Sequence, residues 1–208
     1  MKLCIRNYVL IMLLMLFALV KSLNYNVYNY AGTAGSSTST GTGGKATSAS
    51  LNQPRSIWQD SLSNSYVVEG GASCVRKIAV STSILSVYAG ICGTTGATGN
   101  GGKATSATMQ FPVSMMMDSN SKMYVCEYSN NLVRSVVAST TILSTFAGTG
   151  TGSSTGTGPA TSATVSGPHG VWANSNGEVY ISEYNGKYVR FVSTSNIISF
   201  VVGKVVLV

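Results

Sequence analysis

The seven residues GGKATSA stand at 43–49 and again at 101–107, a displacement of 58 (101 − 43). Extended to GNGGKATSA at 99–107, the second copy has the outline of a phosphate-holding loop. A loop of the form GxxxxGK[ST] needs a hydroxyl after its lysine, to ligate magnesium, and a helix whose N-terminus faces the phosphates. Here Ala104 follows Lys103, the glycine due five residues before Gly102 is Ala97, and the chain runs on into Phe111-Pro112, a strand signal. The nucleotide reading fails. What remains is a motif that recurs at a fixed period, the signature of a repeat architecture.

The period organises the rest of the chain. Glu69, Glu127 and Glu183 are 58 and 56 apart, as are Arg76, Arg134 and Arg190, and Pro54, Pro112 and Pro168. The deficit of two in the last copy falls in a Gly/Ser/Thr stretch, where a loop shortens at little cost. Three repeats result, over 31–88, 89–146 and 147–203. Each carries four strand signals. In the third they lie at 170–174, 178–182, 187–192 and 197–202, rich in Val, Ile, Tyr and Phe and separated by Ser, Asn and Gly. The second strand of each copy, at 66–68, 123–126 or 179–181, is continuously apolar, which implies burial on both faces. Four-stranded antiparallel units covered on both faces by their neighbours are propeller blades. The expectation is an all-β, partial β-propeller of three four-stranded antiparallel blades, with one extra N-terminal strand over 24–31.

The segment AGTGTGSSTGTGPATSATVSGPHGVWANSNGEVYISEYNGKYVR, 147–190, resembles the NHL repeat, and the two upstream copies resemble it from Ala31 onward. The elements that carry the resemblance are AG, a Gly-rich loop, ATSA, P-x-[GS]-[VIM], [DN]-S-x-x-x-x-Y-[VI], and an acidic residue with Arg seven positions on. Relatives of this kind include RNA-binding modules, extracellular sensor and adhesion modules, and a lyase that makes peptide amides. The sequence departs from the family pattern in its loops. Thr42, Asn100 and Thr157 stand where bacterial-type relatives carry Asp, and Lys45 and Lys103 where Pro is common. The basic residue due five after the acidic one is replaced by Cys74, Leu132 and Tyr188.

Residues 1–22 read as a secretory signal peptide: Lys2 and Arg6 precede an apolar run from Tyr8 to Val20, and small residues follow at Val20 and Ser22. The run is short against the roughly 20 residues that a membrane-spanning helix needs, so a permanent signal anchor is the lesser alternative. With the leader removed, the propeller arc would occupy 23–208, with ten basic against six acidic side chains, about +4. The positive charges are scattered singly, so the chain lacks the clusters that follow a nucleic-acid backbone. Three cysteines remain, Cys74, Cys92 and Cys126. Cys74 and Cys92 flank a hairpin and could come within disulfide reach, but three cysteines make no disulfide framework.

The Glu69/Arg76, Glu127/Arg134 and Glu183/Arg190 pairs recur with the fold and are therefore read as structural, fixing second strand to third. Asp60, Asp118 and Asn174 recur in the turn after the first strand and are read as turn caps. His169 is the only histidine, in the slot filled by Arg55 and Val113 in the other copies. A zinc site generally needs three or four N, S or carboxylate ligands, which this chain does not gather, and no nucleophile–base set is visible. No catalytic residue, metal or cofactor is expected. The loop-rich face should instead bring Lys45, Arg55, Lys103, Tyr128, Asn130, Asn131, His169, Tyr184 and Lys187 together as a binding rim for a protein or glycan. Three blades do not close a ring. Two chains meeting as a six-bladed homodimer, or a longer protein of which this is a fragment, would each cover the terminal faces. A propeller hydrolase or lyase is the remaining alternative.

Overall fold

The computed structural model describes residues 28–201. The chain divides into two units, Met1–Tyr30 and Ala31–Val208. Of the first, only 28–30 are described, and they are coil. The proposed leader lies outside the described residues, as do 24–27 of the expected N-terminal strand; its remaining residues, 28–31, form no strand. Among the described residues no helix is long and apolar enough to cross a membrane.

The second unit holds three antiparallel sheets. The first is β1 (Pro54–Gln59), β2 (Ser65–Glu69), β3 (Cys74–Ile78) and β4 (Leu85–Ala89), in that order. The second contains β5 (Gly102–Lys103), β6 (Pro112–Met117), β7 (Lys122–Glu127), β8 (Leu132–Val137) and β9 (Ile142–Ala147), in the order β5-β9-β8-β7-β6. The third contains β10 (Gly158–Pro159), β11 (Pro168–Ala173), β12 (Val179–Glu183), β13 (Tyr188–Val192) and β14 (Ile197–Phe200), ordered β10-β14-β13-β12-β11. The four strands expected of each blade are present. A short fifth is added in the second and third, because the Gly-Lys or Gly-Pro step of the repeat motif pairs with the fourth strand of its own blade. In the first blade the same step survives as a single bridge, Lys45 to Ile84.

The motif GGKATSA thus has two halves. Its Gly-Lys half is sheet edge, and its ATSA half makes a 3-10 turn, Ala46–Ser48 or Ala104–Ser106. The turn buries Ala46 and Ala49, or Ala104 and Ala107. Gly41 and Gly99 have φ of +79° and +85°, and a Cβ on either would come within 2.8 and 2.6 Å of the Cα of Ala49 and Ala107. Only glycine fits there, which accounts for the fixed distance between the Gly-rich loop and ATSA.

The sheets stack face to face. The run Met115-Met116-Met117 in β6 alternates, as a strand must. Met115 and Met117 enter a core with Tyr66, Val68 and Val75 of the first sheet, and Met116 enters another with Val179, Ile181 and Val192 of the third. In β7, Met123 and Val125 face the first sheet, while Tyr124 and Cys126 face the third. First strands β1, β6 and β11 lie side by side, so they line the inside of the arc, and β4, together with β9 and β14 and the short β5 and β10 paired beyond them, forms its outside.

Within each blade a buried ion pair joins the second strand to the third. Arg76 Nη1 lies 3.3 Å from Glu69 Oε1, and Arg134 and Arg190 lie 3.2 Å from Glu127 and Glu183. The carboxylates also accept backbone N–H groups from the loop before the first strand: Asn52, Gln110 and Ser166. The guanidinium of Arg76 donates to Ser39 Oγ and Thr42 Oγ1, and that of Arg190 to Gly156 O and Thr164 O. Arg134 is different: its Nε is buried without a partner, as is that of Arg76, but so is its Nη2. The sequence explains the difference. Ala97 stands where the first copy has Ser39, and Asn100, in place of Thr42, turns its Oδ1 to accept from the Thr145 N–H. Burial pushes the Glu127 carboxyl above its ordinary range, against the Arg134 charge and its hydrogen bonds, and pushes the Arg134 guanidinium down.

Each hairpin between first and second strand is closed by one side chain. Asp60 Oδ1 accepts from Leu62 and Asn64 N–H, Asp118 Oδ1 from Asn120 and Lys122, and Asn174 Oδ1 from Asn176 and Glu178. Cys74 and Cys92 are joined by a disulfide with a Cα–Cα distance of 5.0 Å, and Cys126 is a buried free thiol.

Among the described residues, no sheet packs on the outer face of the third sheet. Trp172, Tyr180 and Phe191 pair across its strands with ring centroids 5.8 and 5.3 Å apart, and Val189 and Ile197 beside them are exposed. Trp172 is 56% exposed, whereas Met116, at the equivalent position one blade earlier, is 4% exposed.

Chemical denaturation should register three consequences. Met116→Ala is expected to cost about 2–5 kcal/mol through the cavity it leaves, and Trp172→Ala less than about 1 kcal/mol, although the deleted ring is larger. The double substitution Ala97→Ser, Asn100→Thr restores the two hydroxyls that Arg134 lacks and should stabilise the chain by about 1 kcal/mol. Cys92→Ser should cost about 3 kcal/mol by freeing an 18-residue loop. In the native protein a thiol reagent should titrate nothing at Cys126 until the chain unfolds, since burial both shields that thiol and raises its pKa.

Candidate binding site

The site begins with a local irregularity that occurs three times. In each blade the register between first and second strand slips after the proline: Pro54 pairs with Glu69 but Ser56 with Val68; Pro112 with Glu127 but Ser114 with Cys126; Pro168 with Glu183 but Gly170 with Ser182. The extra residues are Arg55, Val113 and His169. A bulge of this kind leaves one residue unpaired and re-aims its side chain. The residue before each proline is left-handed, with φ of 50° at Gln53, 47° at Phe111 and 57° at Gly167. Proline normally drives its predecessor into extended backbone, and a bulky residue such as Phe111 pays a steric cost at positive φ. The fold enforces the geometry, because the carbonyls of Gln53, Phe111 and Gly167 accept N–H groups from Gly70, Tyr128 and Tyr184 at 3.0, 3.2 and 2.8 Å.

These bulges sit at the inner rim, where the three blades converge. They open a cavity of about 350 Å³ lined by Arg55, Phe111, Val113, Tyr128, His169 and Tyr184. Its volume lies within the range of small-ligand sites. Every blade contributes: Arg55 from the first, Phe111, Val113 and Tyr128 from the second, and His169 and Tyr184 from the third. Arg55 is stacked over the Phe111 ring with Cζ 4.7 Å from its centroid, and its Nη2 donates to Gln53 Oε1 at 3.2 Å. Tyr128 is the hub of the rings, 6.3 Å from Phe111, 6.3 Å from His169 and 6.2 Å from Tyr184; His169 and Tyr184 are 5.8 Å apart. The Tyr128 hydroxyl donates to Asn185 Oδ1 at 3.1 Å, which fixes the ring. Lys187 Nζ lies 4.5 Å over the Tyr184 ring at the edge of the site.

Of the nine residues read from the sequence as a single rim, Arg55, Tyr128, His169 and Tyr184 line the cavity and Lys187 borders it. Asn130 and Asn131 are engaged inside the fold. Asn130 donates to Gly96 O and to Glu127 Oε2, and Asn131 Oδ1 accepts from Gly167 N–H of the next blade. Lys45 and Lys103 do not join the group, which corrects the expectation of one neighbourhood. Their backbones pair with Ile84 and Ile142 on the outer edge of their sheets, and at about 4.8 Å per strand Lys103 stands roughly 19 Å across the sheet from β6. Two lining residues had not been picked out. Phe111 could have been found from its place before the repeating proline, and Val113 from the slot it shares with Arg55 and His169.

A second, smaller cavity of about 250 Å³ lies at the opposite ends of β1 and β6, against Trp58, Asp60, Met117 and Asp118. Its two carboxylates are spent on their own turns. Among the described residues no group of three or more His, Cys, Asp and Glu is placed to hold a metal ion.

No family model matches the chain, and no curated protein matches it. Solved structures do. A protein of unknown function from Bacteroides thetaiotaomicron is 25% identical, with a TM-score of 0.55 over 62% of this chain and 32% of that one. An auxiliary nutrient binding protein from the same organism is 18% identical, with a TM-score of 0.50 over 69% of this chain and 36% of that one. An inactive form of virginiamycin B lyase from Staphylococcus aureus, solved with quinupristin, is 13% identical, with a TM-score of 0.51 over 81% of this chain and 43% of that one. This chain therefore spans a third to two fifths of the length of these neighbours. The fold they share with the three stacked sheets described above is that of a β-propeller, here a partial one.

Proposed function

We propose that the chain is a secreted propeller module of NHL type that binds a protein or glycan through its loop-rich face, without catalysis. One observation carries the reading. The single position that the repeat leaves unpaired in every blade is occupied by three different residues, Arg55, Val113 and His169, and these converge on one aromatic-walled cavity. The copies agree in their turn caps, ion pairs and buried alanines, whereas at this slot they differ in charge, shape and polarity. Convergent polar groups in a largely apolar cavity are the features of a binding site. The rings beside His169 are those of Tyr128 and Tyr184, and among the described residues no carboxylate pairs with it, which favours recognition over proton transfer. Secretion is supported by the leader read at 1–22 and by the Cys74–Cys92 bond, which belongs to an oxidising compartment.

A second reading, that this arc is part of a larger propeller, is favoured by the open Trp172 face and uses the same cavity.

The test is to display labelled chain on oligosaccharide and peptide arrays beside Tyr128→Ala and Tyr184→Ala variants. Binding that falls by about tenfold in the variants, a loss of one good contact, is the expected result. Binding indifferent to both substitutions would place recognition elsewhere and overturn the reading, as would lactone or ester turnover abolished by His169→Ala.

A further inference from the structure

Resting on that reading, we infer that the ligand is an acidic glycan, its carboxylate taken by Arg55 and its sugar ring stacked on Tyr128 and Tyr184. The charge distribution makes the first half of the case. The chain has six acidic residues. Three of them, Glu69, Glu127 and Glu183, are buried and neutralised by arginines. The other three, Asp60, Asp118 and Glu178, sit at the hairpins between first and second strands, at the far ends of β1, β6 and β11 from the cavity. Over the 6 residues of β1 that is roughly 20 Å, beyond a Debye length in physiological salt. The cavity end of the blades therefore presents cations, Arg55 and Lys187, and no unpaired carboxylate.

Arg55 is prepared for such a partner. Stacking on Phe111 and one hydrogen bond to Gln53 hold the guanidinium in place. Among the described residues no carboxylate pairs with it, which leaves most of its five N–H donors for a planar anion taken bidentately.

The walls make the second half. Val113 is the only aliphatic side chain in the lining; apart from Arg55 the rest is rings, and Tyr184 is 59% exposed. A protein hot spot buries an apolar anchor in a desolvated pocket. Half-open, mutually tilted rings at about 6 Å spacing suit a ligand with C–H faces and hydroxyl edges, which a pyranose supplies. Tyrosine offers both a face for the ring and a hydroxyl for its edge.

The probes are a galacturonate trimer, its methyl ester and a galactose trimer, titrated calorimetrically at low ionic strength into the full chain and into Arg55→Gln, Arg55→Lys and Tyr184→Ala. Thermal melts confirm that each variant folds. The acid should bind about tenfold more tightly than its ester, and Arg55→Gln should remove that preference, with Arg55→Lys restoring part of it and added salt weakening the acid alone. Tyr184→Ala should weaken acid and ester alike. Equal binding of acid and ester, or an acid preference unchanged in Arg55→Gln, overturns the inference and leaves the binding face standing. Tyr184-dependent binding to peptides with none to any saccharide does the same. Absence of Tyr184-dependent binding to every probe overturns both.

Discussion

The structure depends on burial of each middle strand from both sides. A single four-stranded sheet in water would expose both of its apolar faces, and the alternation of Met115, Met116 and Met117 shows how this chain avoids that. Neighbouring methionines on one strand belong to different cores, and each core is closed by a different blade. The interaction is non-directional, and so it fixes that the sheets stack without fixing how. Direction comes from the polar elements inside each blade: the Glu/Arg pair that ties second strand to third and loop, the Asp or Asn that closes the first hairpin, and the alanine pair of ATSA seated on a glycine. Stacking drives the assembly and these parts set its shape.

Period and strand content were legible in the sequence because both are enforced at many positions at once. Glu127 and Arg134 recur since every blade needs the same bridge, and Tyr124 and Val125 are adjacent and apolar since both faces are covered. The cavity was legible only in part. Arg55 and His169 stood out as differences in a repeated slot, but the reason the slot matters, a register slip after a left-handed residue, has no compositional mark. Gln53 and Phe111 are not residues that announce positive φ, and proline after them argues for the opposite. Tertiary hydrogen bonds from Gly70 and Tyr128 overrule the local preference.

The lysines show the reverse error. Lys45 and Lys103 read as loop residues in the sequence, because Gly-rich surroundings look like loop. The Gly-Lys step is in fact paired at the outer edge of the sheet, as a two-residue strand at Gly102–Lys103 and as a single bridge at Lys45. Two residues are too few to leave a period-two pattern, and only the partner strand reveals them. Asn130 and Asn131 differ from the expectation for a related reason: polar residues in a connection look available, yet Asn130 is bonded within its own blade and Asn131 joins its blade to the next.

The bare aromatic face of the third sheet bears on motion. In a stack held by nearest neighbours, a member clamped on both sides is held better than one clamped on a single side, and among the described residues the third blade has one such neighbour and the second has two, so the third frays first. That blade carries His169 and Tyr184, one wall of the cavity, while Arg55 on the first blade holds the opposite wall. Anything bridging the two walls must draw the loose end in, and its occupancy would be felt as slower amide exchange along β11 to β14, well away from any atom it touches.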